Sequence, residues 1–334
     1  MSILVESPGL LSTLQDLGRP GYQHLGVGPG GAMDPLSHRL GNLLVGNPEG
    51  AATLEITLSG PGLYFAADAL VALTGADLGA LIEDRPVRLW RPTLVRAGAR
   101  LRFGAPVQGC RCYLAVAGGF RVPELMGSAS THLAAGFGGF QGRALRAGDR
   151  LDTEECPREL YPDLQRRFRA GLQPSLALDW FPPWYRELDF LRPACLRLVP
   201  GPQWPALTAP ARSTLTGAAF RVALQSNRMG LRLQGPALAL ERPMEMLSAG
   251  VAAGTLQLPP DGAPILLMAD RQTTGGYPRL GEVATVDLAK AAQLRPGEEL
   301  QFTLTPLETA QELLMARTTR LRALSAILAE RRTF

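Results

Sequence analysis

The chain contains a segment near its start that recurs about 190 residues later. Residues 37–46 (SHRLGNLLVG) match residues 226–235 (SNRMGLRLQG) at a serine, an arginine, two glycines and a leucine. Weaker matches follow in the same order, pairing 55–59 with 245–248, 73–77 with 267–270, and 96–103 with 295–302. Collinear echoes of this kind predict two copies of one domain, and 334 residues are enough to hold both.

Short apolar runs bounded by glycine, proline or aspartate make up most of each copy. With 37 glycines and 28 prolines, turns are frequent, which disfavours a helical bundle. Short strands with turn signals every few residues are typical of a β-barrel or β-sandwich. The strands predicted from these runs are 54–58, 69–74, 87–91, 111–117, 195–199, 219–224, 255–258, 265–269 and 301–304. The chain is therefore predicted to be mainly β, with few short helices.

Helix signals are confined to a few places. Asp34 as N-cap, Pro35 at the first helical position and a leucine face predict a helix that ends near Gly46. The repeat then predicts a short helix or turn over 226–235, and a helical piece is expected at 161–170. Leucines at 307, 314, 321 and 328 predict a C-terminal amphipathic helix that packs on its own domain or, alternatively, on a partner protein. The predicted division is 1–152 (first domain), 153–190 (linker), 191–306 (second domain) and 307–334 (C-terminal helix).

Composition excludes several classes of function. The net charge is only +4, aromatics are 6% and basic residues form no long run, so nucleic acid is not an expected partner. Lys290 is the single lysine, which excludes a phosphate-binding loop ending in Gly-Lys-Ser/Thr. Three scattered histidines and four cysteines without a C-x-x-C pair predict no metal site. Without a signal peptide or a long apolar run, the chain is expected to be cytoplasmic, off the membrane, with reduced thiols.

The densest polar cluster is the loop 270–279 (DRQTTGGYPR), which follows an apolar strand. Gly275 and Gly276 permit positive φ and close backbone approach, so their N–H groups are predicted to form an anion-binding concavity. Arg271 and Arg279 would supply positive charge to it. The alternative is a long hairpin loop with two surface arginines.

Two other clusters give weaker signals. The glycine-rich run 127–143 lacks the spacing and strand-to-helix context of a dinucleotide fingerprint, so a ligand loop and a bend in a barrel strand remain equal alternatives. Near the N-terminus, Asp16, Arg19 and His24 are candidates for a polar site, although a lone histidine is more often structural.

Glu55 and Glu245 occupy equivalent places in the two copies. Carboxylates inside apolar strands predict buried acids, and the repeated Arg39 and Arg228 are their expected partners. A paired structural role is favoured over acid–base chemistry.

Five motifs, spread from residue 9 to residue 288, resemble one known family. They are GLLSTLQDLGRPGY (9–22), GAMDPLSHRLGNLLVGN (31–47), GGFRVPELMGSASTHLAAGFGGFQGRAL (118–145), SNRMGLRL (226–233) and LLMADRQTTGGYPRLGEVATVDL (266–288). The sequence is thereby identified as a member of the carboxyltransferase-domain family, also called allophanate hydrolase subunit 2-like. That family includes the C subunit of bacterial 5-oxoprolinase, the antagonist of a sporulation-kinase inhibitor, and the carboxyltransferase domain of urea amidolyase. The resemblance implies two tandem cyclophilin-like β-barrel domains that face a shared cleft.

The resemblance also implies function. Chains of this length without a biotin-carrier segment are similar to the 5-oxoprolinase C subunit, a hydrolase component that works with the A and B subunits. Together these convert 5-oxoproline to L-glutamate with ATP bound through the complex. The alternatives are a biotin-dependent carboxyltransferase of the urea carboxylase type and a non-catalytic partner of a kinase-inhibitor-like protein.

Holding an anionic intermediate calls for preorganised N–H groups and arginines. The predicted catalytic residues are Arg271, Gln272, Thr273, Thr274 and Tyr277. The predicted substrate- or anion-binding residues are Gly275, Gly276, Ser226, Asn227, Arg228, Gln15, Asp16 and His24. The family pattern leads us to expect glutamate at Ala249, arginine at Ala129 and tyrosine at His132. The departures at these positions indicate either a covarying pair of residues or altered substrate contacts.

Overall fold

The protein divides into two units, each with its own apolar core. The computed structural model describes residues 1–155, 160–188, 190 and 193–331, so predictions at Cys156 and for the ends of the linker and C-terminal segments lie outside the described residues. Unit 1 comprises Met1–Gly18, Asp34–Arg186 and Arg320–Phe334, and unit 2 comprises Arg19–Met33 and Glu187–Thr319. The domain boundaries inferred from the sequence stay predictions.

Unit 1 is built from two six-stranded sheets around one core. Their orders are β11-β1-β4-β9-β6-β7 and β12-β8-β5-β10-β3-β2, and every pairing is antiparallel. The strands are β1 Ser2–Ser7, β2 Leu11–Gln15, β3 Thr53–Thr57, β4 Gly62–Phe65, β5 Ala69–Asp77, β6 Ala80–Ile82, β7 Arg85–Pro86, β8 Thr93–Val95, β9 Arg100–Phe103, β10 Gln108–Val116, β11 Arg150–Asp152 and β12 Ser175–Ala177.

The helices of unit 1 begin where the sequence predicts. Helix α1 (Pro35–Leu44) is capped by Asp34, whose Oδ1 accepts from the backbone N–H of Ser37 at 3.0 Å. Its leucine face is buried, and Gly46 follows its end with a φ of +83°. Helix α2 (Pro162–Ala170) confirms the helical piece expected before the second copy.

Unit 2 contains a closed seven-stranded barrel in the order β13-β20-β17-β18-β15-β14-β21. It closes through the parallel pairing of β13 with β21, and Leu256, Leu280 and Phe302 lie in its core. A separate two-stranded ladder pairs β16 with β19. The strands are β13 Ala194–Pro200, β14 Phe220–Val222, β15 Gly230–Gln234, β16 Ala249–Gly250, β17 Thr255–Gln257, β18 Ile265–Leu267, β19 Thr274–Gly275, β20 Arg279–Val283 and β21 Glu299–Leu304, with helices α3 Ala209–Gly217 and α4 Leu288–Ala292. The mainly β prediction is confirmed, and a barrel is present in this unit.

The C-terminal helix α5 spans Leu307–Arg331, as predicted. Its leucine stripe is buried only in the second half, at Leu321 and Leu328, whereas Leu307 and Leu314 are exposed. The heptad spacing predicts the helix, but it does not show which of its turns pack against the rest of the protein. Within the described residues, no helix is both long and apolar enough to cross a membrane.

Two predicted elements are wrong in detail. The strand predicted at 87–91 is absent, because only Arg85–Pro86 pairs there and Trp90 turns the chain with a φ of +64°. The short helix or turn predicted at 226–235 is a turn followed by strand β15, so the second copy lacks a helix at this position.

The two repeated carboxylates have different environments, which corrects the expected symmetry. Glu55 is buried and accepts from the Tyr113 hydroxyl at 2.8 Å, whereas Glu245 is exposed. The expected arginine partners pair elsewhere: Arg39 with Glu49 at 2.7 Å and Arg228 with Asp270 at 2.8 Å. The repeat preserves residue types here without preserving contacts.

His38 lies on α1, fully buried beside this Glu55–Tyr113 pair. Its Nδ1 contacts the Thr53 hydroxyl at 2.8 Å, and its Nε2 is buried with no hydrogen bond of good geometry to a described residue, although the Glu49 backbone acts to raise the pKa of the ring. Burial lowers the pKa of His38 to about 4, although the charges of Asp16 and Glu55 oppose the shift. The imidazole is therefore neutral at pH 7.

We expect His38 to make the protein acid-labile. His38 binds a proton only near pH 4 in the folded state but near pH 6.5 in the unfolded state. The stability that depends on neutral His38 is therefore fully present above pH 6.5 and is lost as the pH falls from 6.5 to 4. The loss is roughly 3 kcal/mol. Urea unfolding of wild type and His38→Gln across this range checks it, since the variant should lose less stability on acidification. Parallel pH profiles for the two proteins would contradict the assignment.

Candidate functional site

The polar loop 270–279 of unit 2 is anchored at its start by a buried ion pair. Asp270 accepts from Arg228 at 2.8 and 3.0 Å, and both side chains are buried. Arg228 also donates to the carbonyl of Gly31 at 2.6 Å. Arg228 thus fixes the start of the loop, and its predicted contact with substrate stays a prediction.

Beyond this anchor, the loop runs into the short β16–β19 ladder. Gly275 pairs with Ala249 and Thr274 with Gly250. Neither Gly275 nor Gly276 has a positive φ, so the loop does not use the backbone freedom that the sequence suggested for them. Their predicted contact with an anion stays a prediction. Gly275 is needed for space: a Cβ there would lie 2.4 Å from Nε2 of Gln257.

We expect Gly275→Ala to displace the Gln257 amide. The atom that the new methyl meets is the end of a flexible side chain, so the free energy of unfolding should change by only about 1 kcal/mol. In the enzyme complex that the sequence resemblance predicts, turnover should fall more, because Gln257 contacts the loop. Gly250→Ala, in the same ladder with no atom within 4 Å of its new Cβ, is the control. Equal effects of the two changes on turnover would contradict this expectation.

Arg271 is the charged residue at the base of the loop, and it is half-buried. Its guanidinium makes only long hydrogen bonds, to the carbonyls of Val251 and Met268 at 3.4 Å and of Ala269 at 3.5 Å. It forms no salt bridge with any described carboxylate. Burial lowers the pKa of Arg271, and the charge of Glu282 acts in the opposite direction. A cation in this state favours an anionic ligand.

Three polar side chains from β17 and β20 face the same region, and the sequence alone does not identify them. Thr255 lies opposite Glu282 in the ladder, and its hydroxyl is 2.9 Å from both carboxylate oxygens. Gln257, two residues along β17, accepts from Nε2 of Gln272 at 3.3 Å. The sequence signal that could identify two of them is the presence of a glutamine, Gln257, and a glutamate, Glu282, within otherwise apolar strands.

The remaining predicted residues of unit 2 lie in or near the loop and differ in their hydrogen bonding and exposure. Thr273 accepts a backbone hydrogen bond from Val251 at 3.2 Å, and Thr274 is exposed. Tyr277 is exposed and borders a groove of about 880 Å³ lined by Leu240, Met246 and Leu258. The loop therefore offers exposed polar groups next to an apolar groove.

Ser226 and Asn227 form the turn that leads into β15. The Ser226 hydroxyl accepts from the backbone N–H of Arg232 at 3.1 Å, and Oδ1 of Asn227 accepts from Met229 at 2.8 Å. These bonds give both side chains a local structural role. Their predicted contact with substrate stays a prediction.

In unit 1, Asp16 is the centre of a buried hydrogen-bond network. Its carboxylate accepts from the N–H groups of Gly18 at 2.7 Å and Ala129 at 2.6 Å, and from the hydroxyls of Ser128 and Ser130. A carboxylate with this many donors is a structural anchor for the glycine-rich run. The backbone of Ala129 is held by this anchor.

Gln15 and His24 have separate environments. Gln15 is buried and donates to the Thr13 hydroxyl at 3.0 Å and to the Thr131 carbonyl at 3.2 Å. His24 is exposed on a 3₁₀ turn, Gln23–Leu25, that belongs to unit 2. The polar site predicted around Asp16 thus has its members in different units.

Fold and site together define a mainly β protein with a closed barrel and a charged polar loop at one side of it. The family model described as "Carboxyltransferase domain, subdomain A and B" matches residues 25–304. The chain belongs to this carboxyltransferase-domain family.

Relatives with known names are similar over most of the chain. The 5-oxoprolinase C subunit of Haemophilus influenzae is 37% identical over 302 residues, covering 90% of this chain and 91% of the relative. Its counterpart of the same name in Escherichia coli is 38% identical, again over 90% of this chain and 91% of its own length. Urea amidolyase of Lachancea kluyveri is 30% identical over 92% of this chain but only 17% of the relative.

Solved structures show the same relationship. The crystal structure of TTHA0988 is 37% identical with a TM-score of 0.75, and the match covers 90% of this chain and 55% of that one. The K. lactis urea amidolyase structure is 29% identical with a TM-score of 0.84, covering 97% of this chain and 20% of that one. The chain therefore spans about half of one structure and a fifth of the other.

Proposed function

We propose that this chain is the C subunit of an ATP-dependent 5-oxoprolinase that opens 5-oxoproline to L-glutamate. The supporting observation is end-to-end similarity: the two relatives named as this 5-oxoprolinase component are matched over 91% of their own lengths. The proposed partners are a kinase-inhibitor-like B subunit, together with the A subunit. The proposed location is the cytoplasm, where ATP is available.

The chemical problem in this reaction is the lactam. Its amide is resonance-stabilised, so opening the ring requires an activated carbonyl and stabilisation of the negative charge that develops on oxygen. ATP, bound through the complex, supplies the free energy for this step. We assign to this chain the binding and orientation of the substrate by the loop from Arg271 to Tyr277.

The charge of Arg271 supports that assignment. A half-buried guanidinium that pairs with none of the described carboxylates is suited to hold the carboxylate of 5-oxoproline in two parallel hydrogen bonds. Exposed Gln272 and Thr274 lie beside it as further hydrogen-bonding groups. The apolar groove next to Tyr277 provides a surface for the methylene side of the ring.

The second candidate is a biotin-dependent carboxyltransferase. The 30% identity to urea amidolyase over 92% of this chain favours it. It predicts that this chain, mixed with a biotinylated carrier, moves labelled carboxylate from carboxybiotin to urea.

The test of the proposed function is glutamate formation from 5-oxoproline and ATP by this chain with the purified A and B subunits. We expect activity from the complete mixture and none when this chain is left out. Transfer of label from carboxybiotin to urea, with no glutamate from an assembled complex, would favour the second candidate.

A further inference from the structure

Arg271 and Glu282 are two half-buried opposite charges that influence each other without forming a salt bridge in the described part of the chain. Arg271 donates to the carbonyl of Val251, and the next residue, Ala252, donates to the Thr255 hydroxyl that binds Glu282, so the two charges share one region. Arg271 has only long bonds to carbonyls, and Glu282 has hydrogen bonds from one hydroxyl. Desolvating charges that have no direct partner costs free energy, so another group is needed to compensate these two charges.

The position of Glu282 is fixed by the barrel. Its ladder partner Thr255 accepts from the backbone N–H of Ala252 at 2.9 Å, so the Thr255 hydroxyl proton is directed to the Glu282 carboxylate. One hydroxyl proton occupies one of several acceptor positions on a carboxylate. Glu282 therefore keeps the capacity to accept a further hydrogen bond.

A third group lacks a partner in the same region. Among the described residues, Nε2 of Gln257 is buried without a hydrogen-bond partner, while Oε1 of the same amide accepts from Gln272. Gln257 and Thr255 are two residues apart on β17, so their side chains lie on one face of the barrel wall. The core residue Leu256 points to the other face. An unpaired buried donor thus accompanies a cation and an acceptor.

We propose that this site binds a small molecule carrying both a carboxylate and an amide N–H, with Arg271 holding the carboxylate and Glu282 accepting the N–H. The inference rests on the proposed function, because 5-oxoproline has both groups on one ring. Gln257 Nε2 supplies a donor for the lactam oxygen. Urea has the N–H groups but lacks the carboxylate, so the same site discriminates between the two substrates of the family.

Glu282 accepts an N–H strongly only as the carboxylate. Burial raises the pKa of Glu282, whereas the Thr255 hydroxyl and the charges of Arg279 and Arg271 lower it, and burial has the larger effect. Ligand binding should therefore weaken as pH falls through this raised pKa, beginning at a higher pH than for an exposed glutamate. Thr255→Val removes a stabilising hydrogen bond to the carboxylate and should move the transition further upward.

The experiment is ligand binding to the full chain, measured by calorimetry and ligand-observed NMR with three compounds. These are 5-oxoproline, 2-pyrrolidinone (no carboxylate) and N-methyl-5-oxoproline (no N–H). Wild type should bind both analogues about ten-fold or more weakly than 5-oxoproline, as expected for loss of a charged hydrogen bond.

Each variant should lose the wild-type preference for 5-oxoproline over one of the two analogues. Glu282→Gln should weaken the binding of 5-oxoproline but leave the binding of the N-methyl compound unchanged. Arg271→Ala should weaken the binding of 5-oxoproline but leave the binding of 2-pyrrolidinone unchanged. Arg221→Ala and Glu299→Gln, from an exposed ion pair on the same barrel, are the controls and should change nothing. Circular dichroism identifies a variant that fails to fold, in which case Thr255→Val with its pH profile carries the test.

The outcomes separate this inference from the proposed function. If Glu282→Gln discriminates against the N-methyl compound as strongly as wild type, or if Thr255→Val leaves the pH profile unmoved, the inference is wrong, whatever the complex does. If the two selectivities are found as stated while the assembled complex forms no glutamate, the binding site is supported and the proposed function fails.

Discussion

Replacing Arg271 with alanine is expected to reduce glutamate formation by the reconstituted complex about 10²-fold or more. The residue is the half-buried cation at the base of the loop, and its hydrogen bonds to protein groups are all 3.4 Å or longer. Removing it therefore costs the fold little and removes the positive charge that the substrate carboxylate needs. Steady-state turnover, the unfolding midpoint and co-purification with the partner subunits measure the three properties separately.

The control for this prediction is Arg221→Ala. Arg221 lies on the same barrel and pairs with Glu299 at 3.0 Å in an exposed position, so its loss should leave turnover unchanged. Thr274→Ala, from the exposed part of the loop, should also abolish activity. Wild-type turnover by both Arg271→Ala and Thr274→Ala would rule out the loop as the site.

Replacing Asp270 with alanine is expected to destabilise the protein by about 3–5 kcal/mol. The change leaves the buried guanidinium of Arg228 without the carboxylate that accepts two of its hydrogen bonds. It also releases the start of the polar loop, so activity should fall together with stability. Urea unfolding of the isolated chain gives the free energy directly.

The matched control is Glu299→Ala, which breaks an exposed ion pair on the same barrel. We expect it to cost at most about 1 kcal/mol. A similar small cost for Asp270→Ala would show that the buried pair does not anchor the loop. In that case Arg228 would again be available as the substrate-binding residue that the sequence suggests.

Local signals in the sequence predicted the local structure well. Asp34, Pro35 and Gly46 define α1 because capping, fixed φ and a left-handed terminus act over only a few residues. The polar loop was also found, since a run of hydrogen-bonding side chains after an apolar strand is visible without any contact information. The apolar runs predicted eight of the 21 strands, and the run at 87–91 forms no strand.

Contacts that depend on strand register were not predictable. Glu282 meets Thr255 only because β17 and β20 pair in the barrel, and Arg228 meets Asp270 although 42 residues separate them. A single sequence gives no measure of either pairing. For the same reason Glu55 and Glu245 were expected to be equivalent, although one is buried and the other exposed. The sequence indicates a role for the conformational freedom of Gly275, whereas the structure uses its lack of a side chain.

The central proposal is that this chain is a required component of a 5-oxoprolinase. The most direct measurement is ATP-dependent glutamate release from 5-oxoproline at fixed amounts of the A and B subunits, while this chain is titrated in. We predict no release without the chain, and a rate that rises and then saturates once the chain is stoichiometric with the complex. A glutamate rate that does not depend on the amount of this chain would contradict the proposal.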